Sequence, residues 1–326
     1  MDRHHTIVHM LSYVDSHSRE RWVKMGAAIK TELGADGFEI WDEWSKSSDN
    51  YNASAAKATW RSLKPGFITL ASLVYEAKEA GYQPDKPYQP PTPEELAKRK
   101  ERQALAQQHA EQQRQKEIAQ AALLAKRRWA QAQPAVLTHP YLTNKGISHP
   151  KLLKFIRQEN GRIMIPVKLY GKIKGVQTIS DTGMKSFQKE MGLDGASFIL
   201  GPWKAGLERG VIITEGFATG ASLYLSTGIT TLVAFTGHNM GLVAKNLINA
   251  FMPVVIAADY ESHGAGKAYA EQAAEPLGKR AIIIEPEFSE SERKNHFSDF
   301  NDLAMLRGSA ALKEPVERAF RNLSQQ

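Results

Sequence analysis

Gly210-Val-Ile-Ile-Thr-Glu215-Gly216-Phe-Ala-Thr-Gly220 decides how this chain is to be read. An apolar run closes on a carboxylate, and a glycine-punctuated turn then leads into a helical pattern, so a buried strand delivers Glu215 to its C-terminal edge. In open α/β sheets ligands bind in the crevice outside the carboxyl ends of the strands. A second run of the same kind, Pro253-Val-Val-Ile-Ala-Ala-Asp259-Tyr-Glu261, follows, with Gly264 and Gly266 ahead of a helix over Lys267 to Leu277. A third apolar run, Ala281-Ile-Ile-Ile-Glu285, precedes Asp299-Phe-Asn-Asp302-Leu, which brings two more acids toward the same edge.

Carboxylates gathered this closely raise one another's pKa unless a cation neutralises them. Hard oxygen ligands without cysteine suit Mg²⁺ or Mn²⁺. A single such Asp is most often a helix cap or a solvated turn; the joint pattern is not. These residues resemble the Toprim fold of primases, topoisomerases and related nucleases: an acid after the first strand, a D-x-D after the third, and a later acidic motif. The Asp299-Phe-Asn-Asp302-Leu ending is similar to that of phage and plasmid Toprim primases. Glu261 stands where that family has its second Asp; it keeps the charge and reaches one methylene further. The resemblance implies a catalytic role for Glu215, Asp259 and Glu261, and a metal-holding set of Glu215, Asp259, Glu261, Asp299 and Asp302.

The chain has 326 residues, 42% of them hydrophobic, which is enough for two domains and a connection. Its formal charge of +7 suits a polyanionic partner. With no cysteine there is neither a disulfide nor a cysteine-ligated zinc ribbon, so no zinc is expected. Neither a secretory segment nor a membrane-spanning run is legible, and the expected location is cytoplasmic. Gly264-Ala-Gly266-Lys267 fails the phosphate-loop pattern, with Glu261 at the first glycine position and Ala268 after the lysine.

Upstream, the segment to about Tyr82 carries apolar residues at helical spacing: Val8, Leu11 and Val14, then Trp22, Val23, Met25, Ile29 and Leu33. Phe38, Trp41, Trp44 and Trp60 form an aromatic centre, read as core packing rather than base stacking. Trp41-Asp-Glu-Trp44-Ser45, Tyr51, Trp60 and Phe67-Ile-Thr-Leu70 resemble the accessory domain called primase C-terminal type 2, the usual companion of a primase catalytic domain. Pro84 to Pro93 breaks the chain. Thr92-Pro93-Glu94-Glu95 then has helix start signals, and the Gly-free, Pro-free run to about Gln133 predicts a long helix. Its Lys98–Arg102 and Lys126–Arg128 clusters are either solvated faces or phosphate contacts.

His139-Pro-Tyr141-Leu-Thr-Asn-Lys-Gly146-Ile is a short helix and turn of the kind that precedes the catalytic core in phage-type primases. Gly161–Val167 and Lys174–Ile179 read as strands joined through Tyr170-Gly171-Lys172, with Met184-Lys185-Ser-Phe187-Gln-Lys189 after them. This order resembles the basic subdomain facing the acids in bacterial primases, which implies Arg162, Lys172 and Lys185 as nucleotide or nucleic-acid contacts. From Gly210 onward strands and helices alternate, the rhythm of a parallel sheet covered on both faces.

The expected architecture is therefore α/β: residues 1–83 a small helical accessory domain, 84–133 a proline-rich linker and long charged helix, 134–208 a basic α+β subdomain, and 209–326 a Rossmann-like Toprim sheet with a C-terminal helix. The resemblance implies a DNA primase that joins ribonucleoside triphosphates on single-stranded DNA by metal-dependent nucleotidyl transfer, in phage or plasmid replication, with a replicative helicase as partner. A Toprim nuclease, or a noncatalytic replication adaptor that binds single strands, are the other readings.

Overall fold

The computed structural model describes residues 3–64, 66, 68–83, 92–260 and 264–325. Phe67, most of the proline-rich break and Glu261 lie outside them. The chain divides into two compact units, residues 1–109 and 110–326.

The first unit is helical: α1 (Arg3–Leu11), α2 (Arg19–Leu33), α3 (Phe38–Ser45), α4 (Ala53–Ser62) and α5 (Leu70–Glu79). Its tryptophans are its core. Trp41 is fully buried, with the Trp22 and Trp60 rings 4.5 and 5.4 Å away between centroids. Three indole N–H groups are spent internally, Trp41 on the Trp22 carbonyl, Trp44 on the Val14 carbonyl and Trp22 on the Ser45 hydroxyl. That is how buried tryptophans are satisfied, and it uses their polar handles for packing rather than for a ligand.

A 39-residue helix, α6 (Pro93–Gln131), contains the division between the units. Toward its end Ala125 packs with Met164 and Val176, and Trp129 lies alongside. Of the Lys126–Arg128 cluster, Arg128 pairs internally with Glu159 at 2.5 Å.

The second unit has two sheets. The first is antiparallel, ordered β1 (Gln133–Pro134), β2 (Arg157–Glu159), β3 (Arg162–Leu169), β4 (Lys172–Ile179), β5 (Lys185–Phe187), with α7 (Pro140–Asn144) and α8 (Pro150–Leu153) inserted after β1. The β3–β4 hairpin turns through Tyr170 and Gly171 at φ 48° and 76°, the two positive values that a two-residue primed turn requires.

The second sheet contains β6 (Phe198–Leu200), β7 (Val211–Thr214), β8 (Thr230–Val233), β9 (Val254–Ala257) and β10 (Ala281–Ile284), in the order β10-β9-β7-β8-β6. β7 to β10 are parallel, and β6 runs antiparallel to β8 at the edge. This edge strand is absent from the expected parallel set. It is three residues long, too short to announce itself by periodicity, and it forms because β8 would otherwise expose its backbone groups.

Between these strands lie α9 (Trp203–Arg209), α10 (Phe217–Thr227), α11 (Gly237–Lys245) and α12 (Ala265–Ala274), followed by α13 (Glu290–Lys294), α14 (Phe300–Arg307) and α15 (Lys313–Ser324). Ile213 and Ile256 face Met240, Val243 and Ala270, while Ile212 and Val255 face Phe300, Leu303 and Val316. Covering both faces is what makes these strands continuously apolar. Gly220 lets α10 lie close on the sheet, since a Cβ there would meet Val233 at 2.6 Å and Thr214 at 2.9 Å. A backbone bridge between Lys168 and Ser197 ties the two sheets together, with Ile163, Ile165 and Val167 of β3 sharing a core with Phe198 and Phe217. Among the described residues no helix is long and apolar enough to cross a membrane.

Candidate active site

Strand registration places the acids. β7 and β9 are neighbours with Thr214 opposite Ala257. Glu215 follows the first strand directly and Asp259 follows the second by two residues, so both leave the C-terminal edge of strands spaced about 4.8 Å apart. Both are half-buried. The Glu215 carbonyl accepts the Phe235 N–H at 2.8 Å, and Phe235 adopts φ 72° to make this turn. A bulky residue in the left-handed region beside a strand-end acid is the kind of local strain that collects at functional sites.

The last acids come to the same edge through the backbone. The Tyr260 N–H donates to the Ser298 carbonyl at 2.7 Å, which ties the Asp259 loop to the segment that opens α14. Asp299 is the N-cap of α14: its Oδ1 accepts the Asp302 N–H at 2.8 Å, while Asp302 Oδ2 accepts the N–H groups of Ser298 and Asp299 at 3.0 and 3.4 Å. This reciprocal capping box is the ordinary use of acids at this spacing, and it commits one oxygen of each. Asp302 Oδ1 lies 4.0 Å from Lys145 Nζ. Asp299 is held above the ordinary carboxylate range, first by burial and then by the charge of Asp302; the Asp302 amide, Lys145 and the Thr219 hydroxyl pull the other way.

Among the described residues no group of three or more His, Asp or Glu side chains is drawn close enough to cage a metal. Glu261 lies outside them. The donors nevertheless fit a hard divalent ion. Mg²⁺ is usually held by one or two carboxylates, several waters and substrate phosphates rather than by an all-protein cage, and Glu215 and Asp259 on adjacent strand ends supply that pair.

The three basic candidates part company. Lys185 is exposed in β5, paired with Ile179 of β4. The β5 end faces the acid edge, for the Phe187 ring meets that of Phe235 at 6.0 Å. Arg162 turns its guanidinium into the sheet, donating to the Thr178 hydroxyl at 3.2 Å, the Met184 carbonyl at 3.0 Å and the Ser186 hydroxyl at 3.3 Å. It braces the strand that carries Lys185. Lys172 is exposed at the hairpin, seven residues along β4 from Ile179, roughly 20 Å at strand rise. The structure does not bring Lys172 to the other two.

Two contributors went unread in the sequence. Lys145 reaches Asp302, and its carbonyl accepts from the buried Asn301 side chain at 2.7 Å. Gly266 lets the α12 start press against Asp259, because a Cβ there would stand 2.2 Å from the Asp259 carbonyl oxygen. The position of Gly266 after an acid-ended strand was a usable signal; Lys145 lies in the His139–Ile147 stretch read as preceding a catalytic core, with nothing local to single it out.

Parts of the chain are similar to known proteins. Residues 210–310 match the Toprim domain, and residues 5–77 match Primase C terminal 2 (PriCT-2). The two matches fall on separate stretches of the chain. Two proteins of Escherichia coli called DNA primase TraC are 31% identical over 198 residues and 33% identical over 194 residues, covering 58% and 55% of this chain. The matches span only 13% and 18% of those relatives' lengths. A solved structure of the DnaG primase catalytic domain bound to ssDNA has a TM-score of 0.45 at 14% identity, covering 65% of this chain and 83% of that one.

Proposed function

We propose that this chain is a DNA primase of plasmid or phage type, which joins ribonucleotides into short primers on single-stranded DNA. The observation that carries this reading is the pairing of Glu215 and Asp259 on adjacent strand ends of the parallel sheet, with the exposed Lys185 on the edge strand of the other sheet. The kinship with the TraC primases points the same way. Residues 134–208 and 209–326 form the two walls of the catalytic part on this reading, and residues 1–83 an accessory module.

A divalent ion, Mg²⁺ or Mn²⁺, would lower the pKa of the attacking 3′-hydroxyl and offset charge on the leaving pyrophosphate. Glu215 and Asp259 would hold it, with Glu261, two residues further along the chain than Asp259, adding its charge. Asp299 contributes its remaining oxygen, and Asp302 acts chiefly by capping α14. Lys185 grips template or triphosphate, and Arg162 holds Lys185 in place. Single-stranded DNA and ribonucleoside triphosphates are the ligands, and a replicative helicase is the expected partner.

The test incubates purified protein with single-stranded DNA, labelled ribonucleotides and Mg²⁺ or Mn²⁺. Oligoribonucleotides are expected, and Glu215→Gln should reduce them by about 100-fold or more. Degraded DNA without oligoribonucleotides would instead make the protein a Toprim nuclease. Neither product would leave a single-strand-binding adaptor.

A further inference from the structure

Tyr141 brings to the acid edge a hydroxyl that the fold does not use. Its ring is 3% exposed and lies on Phe217, two residues beyond Glu215, with centroids 6.3 Å apart and planes 24° from parallel. Its backbone is pinned as well. The Tyr141 N–H donates to His139 Nδ1 at 3.2 Å, which leaves the proton on His139 Nε2, and this donates to the Gly161 carbonyl at 3.0 Å. The ring therefore has no freedom to carry its hydroxyl elsewhere.

That hydroxyl is buried and makes no hydrogen bond. Taking a hydroxyl out of water without a partner is costly, so such groups are rare unless a ligand completes them. Asp299 is near enough to add to the upward shift that burial imposes on Tyr141, yet it lies outside hydrogen-bond reach. A polar group between the phenol and the Asp299 carboxylate would give the hydroxyl the partner it lacks.

We infer that Tyr141 is a positioning residue for the divalent ion: its hydroxyl and the Asp299 carboxylate receive the two hydrogens of one water in that ion's hydration layer. This rests on the proposed metal-dependent reading of the site. The chemistry is suitable, since Mg²⁺ gives up its waters reluctantly, and partners that orient such groups around an ion tune its affinity.

The experiment titrates the whole chain with Mn²⁺, following free ion by electron paramagnetic resonance, and measures thermal unfolding without metal. Tyr141→Phe is expected to bind Mn²⁺ about tenfold more weakly, with a metal-free melting temperature equal to the parent's or higher, since it removes an unsatisfied hydroxyl. Tyr170→Phe, whose hydroxyl donates to Asn246 at 3.1 Å on the hairpin, should leave Mn²⁺ affinity unchanged. Equal Mn²⁺ affinity in Tyr141→Phe and parent would overturn the inference alone. A lowered metal-free melting temperature or a lost fold would do so too, because the hydroxyl would then be serving the fold. If the parent itself bound no Mn²⁺, the metal-dependent reading would fall and take the inference with it.

Discussion

Gly266 presses on the main chain of Asp259 so closely that a methyl group at 266 would come within 2.2 Å of the Asp259 carbonyl oxygen. The helix that follows the acid loop therefore sets where the acid stands. Gly266→Ala must push that loop outward, and a displacement near 1 Å at reacting groups costs about 100-fold in rate. We expect primer synthesis to fall by that order with an unchanged far-ultraviolet circular dichroism spectrum. Gly264→Ala is the contrast: Gly264 sits at φ 72° with open space around it, so alanine there should cost about 1 kcal/mol of stability and leave Asp259 in place. Equal activity of Gly266→Ala and parent would detach the loop position from function.

Asp259→Asn keeps the shape and removes the charge. Its defect should be partly recovered at high Mn²⁺, a softer ion than Mg²⁺ and less demanding in geometry. Assaying primer yield across a metal series checks this; a defect indifferent to metal concentration would remove Asp259 from ion binding.

Asp302 should behave differently from Asp259, because its Oδ2 accepts two backbone N–H groups at the start of α14. Asp302→Ala is expected to lose about 1 kcal/mol of stability, the usual value of a helix-terminal acceptor. Chemical denaturation measures it. A variant as stable as the parent would show that the cap is not used.

Lys185 and Lys172 are both exposed cations on the same sheet, and only Lys185 is on the side of the acids. Lys185→Ala should flatten the slope of log affinity for single-stranded DNA against log salt by about 0.7, while Lys172→Ala, roughly 20 Å along the strand, should leave it unchanged. Arg162→Ala should weaken binding indirectly, by releasing the strand it braces, and Arg162→Lys should not restore it, because a lysine lacks the planar fork that reaches Thr178, Met184 and Ser186 together. Parallel salt slopes for parent and Lys185→Ala would remove Lys185 from the template path.

Glu76 gives the first unit a defined acid response. Lys24 donates to it at 2.7 Å and Arg21 at 3.2 Å, and its pKa is lowered from 4.5, first by the Lys24 hydrogen bond. A depressed carboxylate contributes stability that is present above its unfolded pKa and lost as pH falls through the folded one. Glu76→Gln should therefore destabilise this unit by up to about 1 kcal/mol at neutral pH, and by progressively less as the medium is acidified below 4.5. Four of the six tryptophans, Trp22, Trp41, Trp44 and Trp60, lie in this unit, so fluorescence-monitored unfolding reports it. A difference independent of pH would assign the effect to packing.

The parallel sheet and its acids were legible in the sequence because each signal is local. Three apolar runs of strand length, two of them leading to Glu215 and Asp259, state both the strand and what stands at its edge, and a doubly covered sheet has no other use for such runs. The tryptophan core of the first unit was legible for the same reason, since large aromatics at helical spacing have few places to go. Tertiary structure alone decided the rest. Whether Asp299 and Asp302 cap a helix or reach outward depends on the α14 start, where the same spacing serves both uses. Arg162 and Lys185 look alike as basic residues, but the pairing of β5 with β4 turns one into a brace and leaves the other exposed. Tyr141 in α7 and Lys145 just beyond it lie far upstream of the acids they approach, and they arrive there because the antiparallel sheet and the parallel sheet share one core through Phe198 and Phe217. Local periodicity sets the elements, while contacts between residues distant in the chain, which no local pattern encodes, determine which side chains meet.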